Sequence, residues 1–459
     1  MYRLKNKLHT LFALRGWRIF QVFTAIAIIA VVAVIFVPSL TPRVQRLYWR
    51  ARLHTLNRQH FLYDFDYMMR VLEENFPYFD LVERTRDIDM RLLAAEVREK
   101  LADPSTGIRN AYDFYYFLRA NFFGVIGQVG HLQLMSARRW HSDMFGMTSP
   151  YTWYFWGDFW YELAHIYLRP QSVAFYQNFP GDTSPLSPGE MVEVEIIEEG
   201  RIGLIRINHL QVYDIYSQYA FQGRYAARVS AFLRYTANFR HMIIDIRGNG
   251  GGRPWFFMNR IAPYISRRPL WMHQYIFIND TQRNSPIISA EIARRRGDPG
   301  FSGVHFGRIS ESARENMPEY LHDFDQALSI TTTVVPRLNR VPAPRPIDRV
   351  YTGTFRGQVW MLVDGGTASA AEQVAWISYY TNFATLVGEP TMGIPASINI
   401  HMTNRMSLPH TGMILRYDFG YAIDSQGRYF EGRGIQPDYL NRPGFDAMET
   451  VLQLIEEGD

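Results

Sequence analysis

The sequence predicts an α/β core preceded by a helical N-terminal region and one membrane-spanning helix. Three observations lead there: an apolar run near the N-terminus, apolar residues recurring at three-and-four spacing after it, and strand–turn–helix units repeating from about residue 200 to 440. The 459 residues, 47% of them hydrophobic, supply apolar mass for one large core or two smaller ones. The absence of cysteine excludes a disulfide-stapled fold, a thiolate metal centre and a cysteine nucleophile.

The apolar run is Ile19 to Val37, polar only at Gln21 and Thr24. As a helix it spans roughly 28 Å, close to the hydrocarbon thickness of a bilayer. It is longer than the core of a signal peptide, and no small-x-small cleavage site follows. An uncleaved signal anchor is expected, giving a single-pass membrane protein with its long C-terminal body periplasmic or extracellular. Ten of the 48 basic residues precede the first acidic one, Asp64, so the remaining 38 face 44 acidic residues and the body carries a net −6. A basic arm on a mildly acidic body suits a membrane surface and argues against nucleic acid.

From Tyr63 to Ala102 the spacing of Phe65, Met68, Met69, Val71 and Leu72, and then of Leu92, Leu93, Val97 and Leu101, predicts helices. Pro104–Gly107 interrupts them, and an aromatic helix follows over Asn110–Phe123. Trp140 to Pro188 is aromatic and irregular. Val192–Ile197 and Ile202–Ile207 alternate as a hairpin, Tyr219–Phe239 reads as a helix, and His241–Ile246 as a buried strand. Arg267–Pro346 has weak periodicity and reads as a lid or insertion. Val359–Val363 and Phe383–Val387 are further strands around a helix starting near Ser369, and an amphipathic helix over Asp446–Glu457 ends the chain.

Two glycine-rich turns follow apolar strands. In Gly248-Asn249-Gly250-Gly251-Gly252 successive glycines leave backbone N–H groups free to cradle an oxyanion. The dinucleotide fingerprint is not met, and no Gly-Lys-Ser/Thr step follows. The second turn, Asp364-Gly365-Gly366-Thr367-Ala368-Ser369, opens a helix. Ser369 there is either an exposed nucleophile beside first-turn amides or, with Glu372, a Ser-x-x-Glu capping box.

These turns, with FATLVGEPTMG at 383–393, LPHTG at 408–412 and EGRGIQPDY at 431–439, resemble the C-terminal processing (tail-specific) and tricorn-core serine peptidases. The resemblance spans roughly Ile202 to Leu440, and GQVGHLQL at 127–134 resembles the region before the core in the tricorn-like branch. It implies a crotonase-like, Clp-protease-like core with Ser369 as nucleophile. It implies an oxyanion hole from the amide of Ala370 and one in the Gly250-Gly251 turn. The processing branch uses a lysine base about 25 residues after the serine, but this chain has only Lys5, Lys7 and Lys100. The tricorn-like branch uses a histidine from the loop after the N-terminal helices, where His131 stands. An imidazole, with an ordinary pKa of ~6.5, can accept a proton at neutral pH. Glu431 resembles the glutamate that completes the tricorn relay. His401 and His410 match no base position.

The organisation expected is a basic N-terminus and anchor over 1–40, a helical subdomain over 60–135 and an aromatic connecting region over 136–200. A peptidase core follows over 201–441 with an insertion at about 267–346, then a C-terminal helix over 443–459. The activity expected is hydrolysis of protein or peptide substrates without metal or organic cofactor. The alternative is an inactive peptide- or hydrophobic-ligand-binding protein on the same fold. It predicts a His131 ring well beyond ~4 Å from the Ser369 hydroxyl, with Ser369 capping its own helix.

Overall fold

The computed structural model describes residues 47–147, 164–184, 190–210, 215–266, 270–278, 301–324, 326–335, 355–395 and 403–458, with the single positions 268, 281, 289 and 293. Helices α1 (Arg58–Asn75), α2 (Phe79–Arg86), α3 (Met90–Ala102) and α4 (Ala111–Leu118) form the N-terminal region. Asn57, Asp89 and Asn110 each accept first-turn amides at an N-terminus. Such caps are worth about 1 kcal/mol apiece. The apolar stripe buries Phe65, Met68, Val71, Leu72, Val97 and Leu101 as the spacing predicts, whereas Leu92 lies exposed and Met90 and Ala94 point inward instead.

The chain then makes a short strand β1 (Gln133–Leu134) and helices α5 (Ala137–Met147) and α6 (Pro170–Gln177). The core is a six-stranded sheet built from β2 (Val192–Glu198), β3 (Ile202–Ile207), β4 (His241–Asp245), β8 (Gln358–Val363), β9 (Thr385–Gly388) and β13 (Tyr439–Leu440). Its order is β13-β9-β8-β4-β3-β2, parallel throughout except for the β2–β3 hairpin. Successive side chains of a strand point to opposite faces. Met242, Ile244, Met361 and Val363 therefore pack under helices α7 (Ile215–Tyr235) and α8 (Ala370–Thr381), while Ile243 and Leu362 pack against α9 (Ala447–Gly458). Cover on both faces explains why these strands read as unbroken apolar runs.

The stretch expected to be a lid or insertion contains β5 (Leu270–Ile278), β6 (Phe301–His305) and β7 (Gln326–Val335). With β12 (Gly420–Asp424) they form an antiparallel sheet ordered β12-β5-β7-β6. A third sheet, β1-β11-β10, joins β10 (Thr403–Ser407) and β11 (Ile414–Asp418) to the strand that follows His131. One face of it supplies Leu134, Met406, Leu415 and Tyr417 to the apolar cluster of the N-terminal helices.

Asp64 of α1 ties the helices to this sheet. Its carboxylate accepts from the amides of His410 and Thr411 and from the Thr411 hydroxyl, at 2.7–2.9 Å. Among the described residues no helix is long and apolar enough to cross a membrane. The Ile19–Val37 run lies outside them.

Candidate active site

Strands β4 and β8 are parallel neighbours, so the glycine turns leaving their C-terminal ends meet. Asp364 fastens them together, accepting from the amides of Gly248 (2.8 Å) and Gly366 (2.9 Å). The amide of Ala368 donates to the carbonyl of Asn249. The contact is close enough that a Cβ on Gly251 would sit 2.7 Å from that of Ser369, which only glycine avoids.

Ser369 itself has φ 52° and ψ −120°, a conformation rare for a residue with a side chain. Its hydroxyl makes no capping bond to the helix it precedes. Glu372, which the capping box would turn back toward Ser369, is buried and turned away. It accepts from the hydroxyl of Thr391 and from the amides of Gly393 (2.9 Å) and Ile394 (2.8 Å). The box pattern is present in sequence, but tertiary donors have captured its carboxylate.

His131 also sits on a strained turn, with φ 49° following Gly130 at φ 49°. A Cβ on Gly130 would meet the Tyr78 ring at 2.5 Å, so glycine is required there. The turn is gripped from both sides. Gly130 donates its N–H to Glu431 Oε1 at 2.5 Å, and its carbonyl accepts the N–H of Asp418 at 2.6 Å.

The ring then reaches Ser369: Nε2 lies 2.9 Å from Oγ, and Nδ1 lies 2.6 Å from Asp418 Oδ2. Asp418 Oδ1 accepts from the Thr403 hydroxyl at 2.6 Å. A carboxylate at Nδ1 fixes the proton on that nitrogen, leaving Nε2 to accept from the serine hydroxyl.

The partner of the ring is therefore Asp418 and not the expected Glu431. Both ring nitrogens are occupied, and Glu431 is spent on the neighbouring backbone. The two carboxyls also differ electrostatically. Burial pushes Glu431 well above the ordinary range, Gly130 N–H pulls it back, and the Asp418 and Glu372 charges push it further up. Burial raises Asp418 as well, but His131, Arg416 and the Thr403 hydroxyl outweigh it and hold it below its ordinary value. The two carboxyls are thus pushed in opposite directions.

The oxyanion candidates divide too. The Gly251 amide donates to Asn249 Oδ1 at 2.9 Å and is spoken for. The amides of Gly250 and Ala370 make no hydrogen bond among the described residues. They stand at the two turns that flank Ser369. Of the other histidines, His410 packs edge-on against His60 at 4.7 Å in the Asp64 turn, and His401 lies outside the described residues. No group of three His, Asp or Glu that could hold a metal occurs among the described residues.

The profile of Peptidase family S41 matches residues 201–440, the stretch holding both glycine turns, Asp418 and Glu431. Among solved structures, mature CPAF complexed with lactacystin is similar at 12% identity and a TM-score of 0.50, covering 87% of this chain and 97% of that one. This likeness concerns the fold. A putative peptidase from Parabacteroides merdae aligns at 14% identity and a TM-score of 0.47, over 86% of this chain and 96% of that one. A lipoprotein from Streptococcus agalactiae aligns at 13% and 0.44, over 88% and 96%.

Proposed function

The chain belongs to peptidase family S41 and is a serine peptidase, and from that premise we propose a Ser369–His131–Asp418 mechanism on protein or peptide substrates. Ser369 Oγ attacks the scissile carbonyl while His131 Nε2 takes its proton. Asp418 steadies the imidazolium that forms, and the amides of Ala370 and Gly250 hold the tetrahedral oxyanion. The proton returns to the leaving amine, and water releases the acyl group by the same route in reverse. Glu431 and Gly130 act one step back, fixing the turn that aims the ring.

The observation that carries this reading is the 2.9 Å approach of the His131 ring to a serine that does not cap its own helix. A non-catalytic binder calls for the opposite arrangement. A histidine base also aligns the chain with the tricorn-like branch, because no lysine follows Lys100. We place the peptidase on a membrane through Ile19–Val37, with the body periplasmic or extracellular.

A fluorophosphonate probe should label Ser369 in the wild type and not in Ser369→Ala. His131→Ala should slow peptide hydrolysis on the order of 10²–10⁴-fold. Folded protein that neither takes the probe nor cleaves any peptide would overturn the assignment.

A further inference from the structure

Arg416 stands two residues before Asp418 on β11, and Arg405 stands directly opposite it on β10. Residues two apart in a strand share a face, as do residues paired across strands. Thr403, Arg405, Arg416, Asp418 and Gln133, the β1 partner of Arg416, therefore line one face of the third sheet. The other face packs into the apolar cluster, as do Ile414 at the end of this face and Tyr167 against it. Arg405 is only 7% exposed, while Gln133 is exposed and Arg416 half-buried, so the face opens toward solvent at its β1 side.

Two guanidinium groups about 5 Å apart at their Cβ atoms repel each other and need a counter-charge once out of water. Among the described residues the neighbouring carboxylates act on Arg416 at a distance but make no contact with it. Asp143 bonds Arg139 (2.8 Å) and the Tyr167 hydroxyl (2.6 Å), and Asp418 bonds His131 and Thr403. Arg405 Nε and Nη1 and Arg416 Nε have no hydrogen-bond partner among the described residues, although all three atoms are buried. The Tyr167 ring, 5.9 Å from the Arg405 guanidinium carbon, offers a face and not an acceptor. Burial, Arg405 and Arg139 lower Arg416 to about 10 while Asp418 and Asp143 pull it back up, so its guanidinium stays charged at neutral pH.

We propose that Arg405 and Arg416 form a carboxylate-binding subsite beside the catalytic residues, occupied by a carboxylate of the peptide substrate. The inference rests on the peptidase reading above. Arg416 lies about 7 Å along the strand from Asp418, which the His131 ring separates from Ser369, so the carboxylate would belong to a residue a few positions from the scissile bond. Two forked donors facing one anion suit a planar carboxylate. The carboxylate can come from the C-terminus of a short substrate or from an Asp or Glu side chain.

Matched quenched peptides separate the sources: a C-terminal acid against its carboxamide, and Asp or Glu against Asn or Gln within three residues of the cleaved bond. Wild type should favour the acid in at least one pair by about tenfold or more in kcat/KM, mostly through KM. In Arg405→Met and Arg416→Met the ratio should fall to within twofold, and Arg405→Lys should restore part of it. Equal turnover of both pairs by wild type, or a preference that survives both methionine variants, would overturn the subsite. Should the methionine variants fail to fold, anisotropy of the same labelled peptides on Ser369→Ala reads binding alone. Tighter binding of the acid supports the subsite, and equal binding of acid and amide sinks it. Loss of probe labelling together with hydrolysis would indict the peptidase mechanism instead, leaving this binding comparison in force.

Discussion

At the scale of single residues, two buried carboxyl groups flank the Gly130–His131 turn and do opposite work. Asp418 is held below its ordinary value and touches the ring; Glu431 is pushed above its own and touches the backbone before it. In Asp418→Asn the amide oxygen would stay with the Thr403 hydroxyl, turning the NH₂ toward Nδ1. That forces the proton onto Nε2, where it can no longer accept from Ser369. We expect kcat to fall on the order of 10⁴-fold in pre-steady-state ester hydrolysis, as the loss of an orienting carboxylate does in a serine triad. Glu431→Gln keeps an acceptor for the Gly130 N–H and leaves the carboxylate at the ring in place, so its rate should stay within about tenfold of wild type. If Glu431→Gln is as dead as Ser369→Ala while Asp418→Asn works, the relay runs through Glu431 after all. The glycine turns, and Ser369 as nucleophile or cap, were legible as local patterns, whereas His131 was legible only through the family resemblance of the segment around it. Asp418 was not, since a charged residue ending an alternating strand also reads as a solvated one. The usable signal was the single carboxylate of the run Ile414–Ile423, whose other residues are apolar or aromatic apart from Arg416 and Gly420.

At the scale of elements, α8 is fixed less by its own N-terminus than by what Glu372 holds. The carboxyl gathers the Thr391–Ile394 loop, Thr391 Oγ1 accepts the amide of Ile435, and the Gly432 amide donates to the Gly393 carbonyl. The nucleophile's helix and the Glu431 loop are thus fastened through one side chain. Burial raises Glu372 to about 7 against the pull of Thr391, Ile394 and Gly393. A carboxyl whose folded pKa exceeds its unfolded value of about 4.3 stabilises fully below the unfolded value, and that contribution is lost as pH rises through about 7. Glu372→Gln meets the Ile394 amide with a donor and should cost about 1–3 kcal/mol at pH 5. The deficit should narrow at pH 8, as read from urea unfolding of detergent-solubilised protein. A deficit that widens with pH would mean the carboxylate is ionised in the fold. The sequence showed the Ser-x-x-Glu pattern but not its diversion, because the competing donors lie about twenty residues away. Strands β5, β6 and β7 escaped for a related reason: antiparallel strands partly exposed on one face give weaker periodicity than the doubly covered β4 and β8.

At the scale of the whole molecule, the site is assembled from three separate tracts. His131 comes from the turn after the N-terminal helices, Ser369 from the parallel core, and Asp418 from the small sheet that joins them. All three lie far C-terminal to the apolar run, so attachment to a membrane and chemistry should separate cleanly. Ile19–Val37 is long enough to span a bilayer, and the described chain resumes at Leu47 and Tyr48, 66% and 60% exposed, with Arg50 and Arg52 beside them. An apolar helix of this length is not released by alkaline carbonate, whereas a peripheral protein is. The full chain should therefore remain in the carbonate-washed membrane pellet, and a chain beginning at residue 41 should appear in the supernatant. The shortened chain should still take a fluorophosphonate at Ser369, because no residue of the site has been removed. Release of the full chain by carbonate would show that the apolar run does not span the bilayer. Retention of the full chain together with loss of labelling in the shortened one would show instead that the anchor supports the geometry of the site.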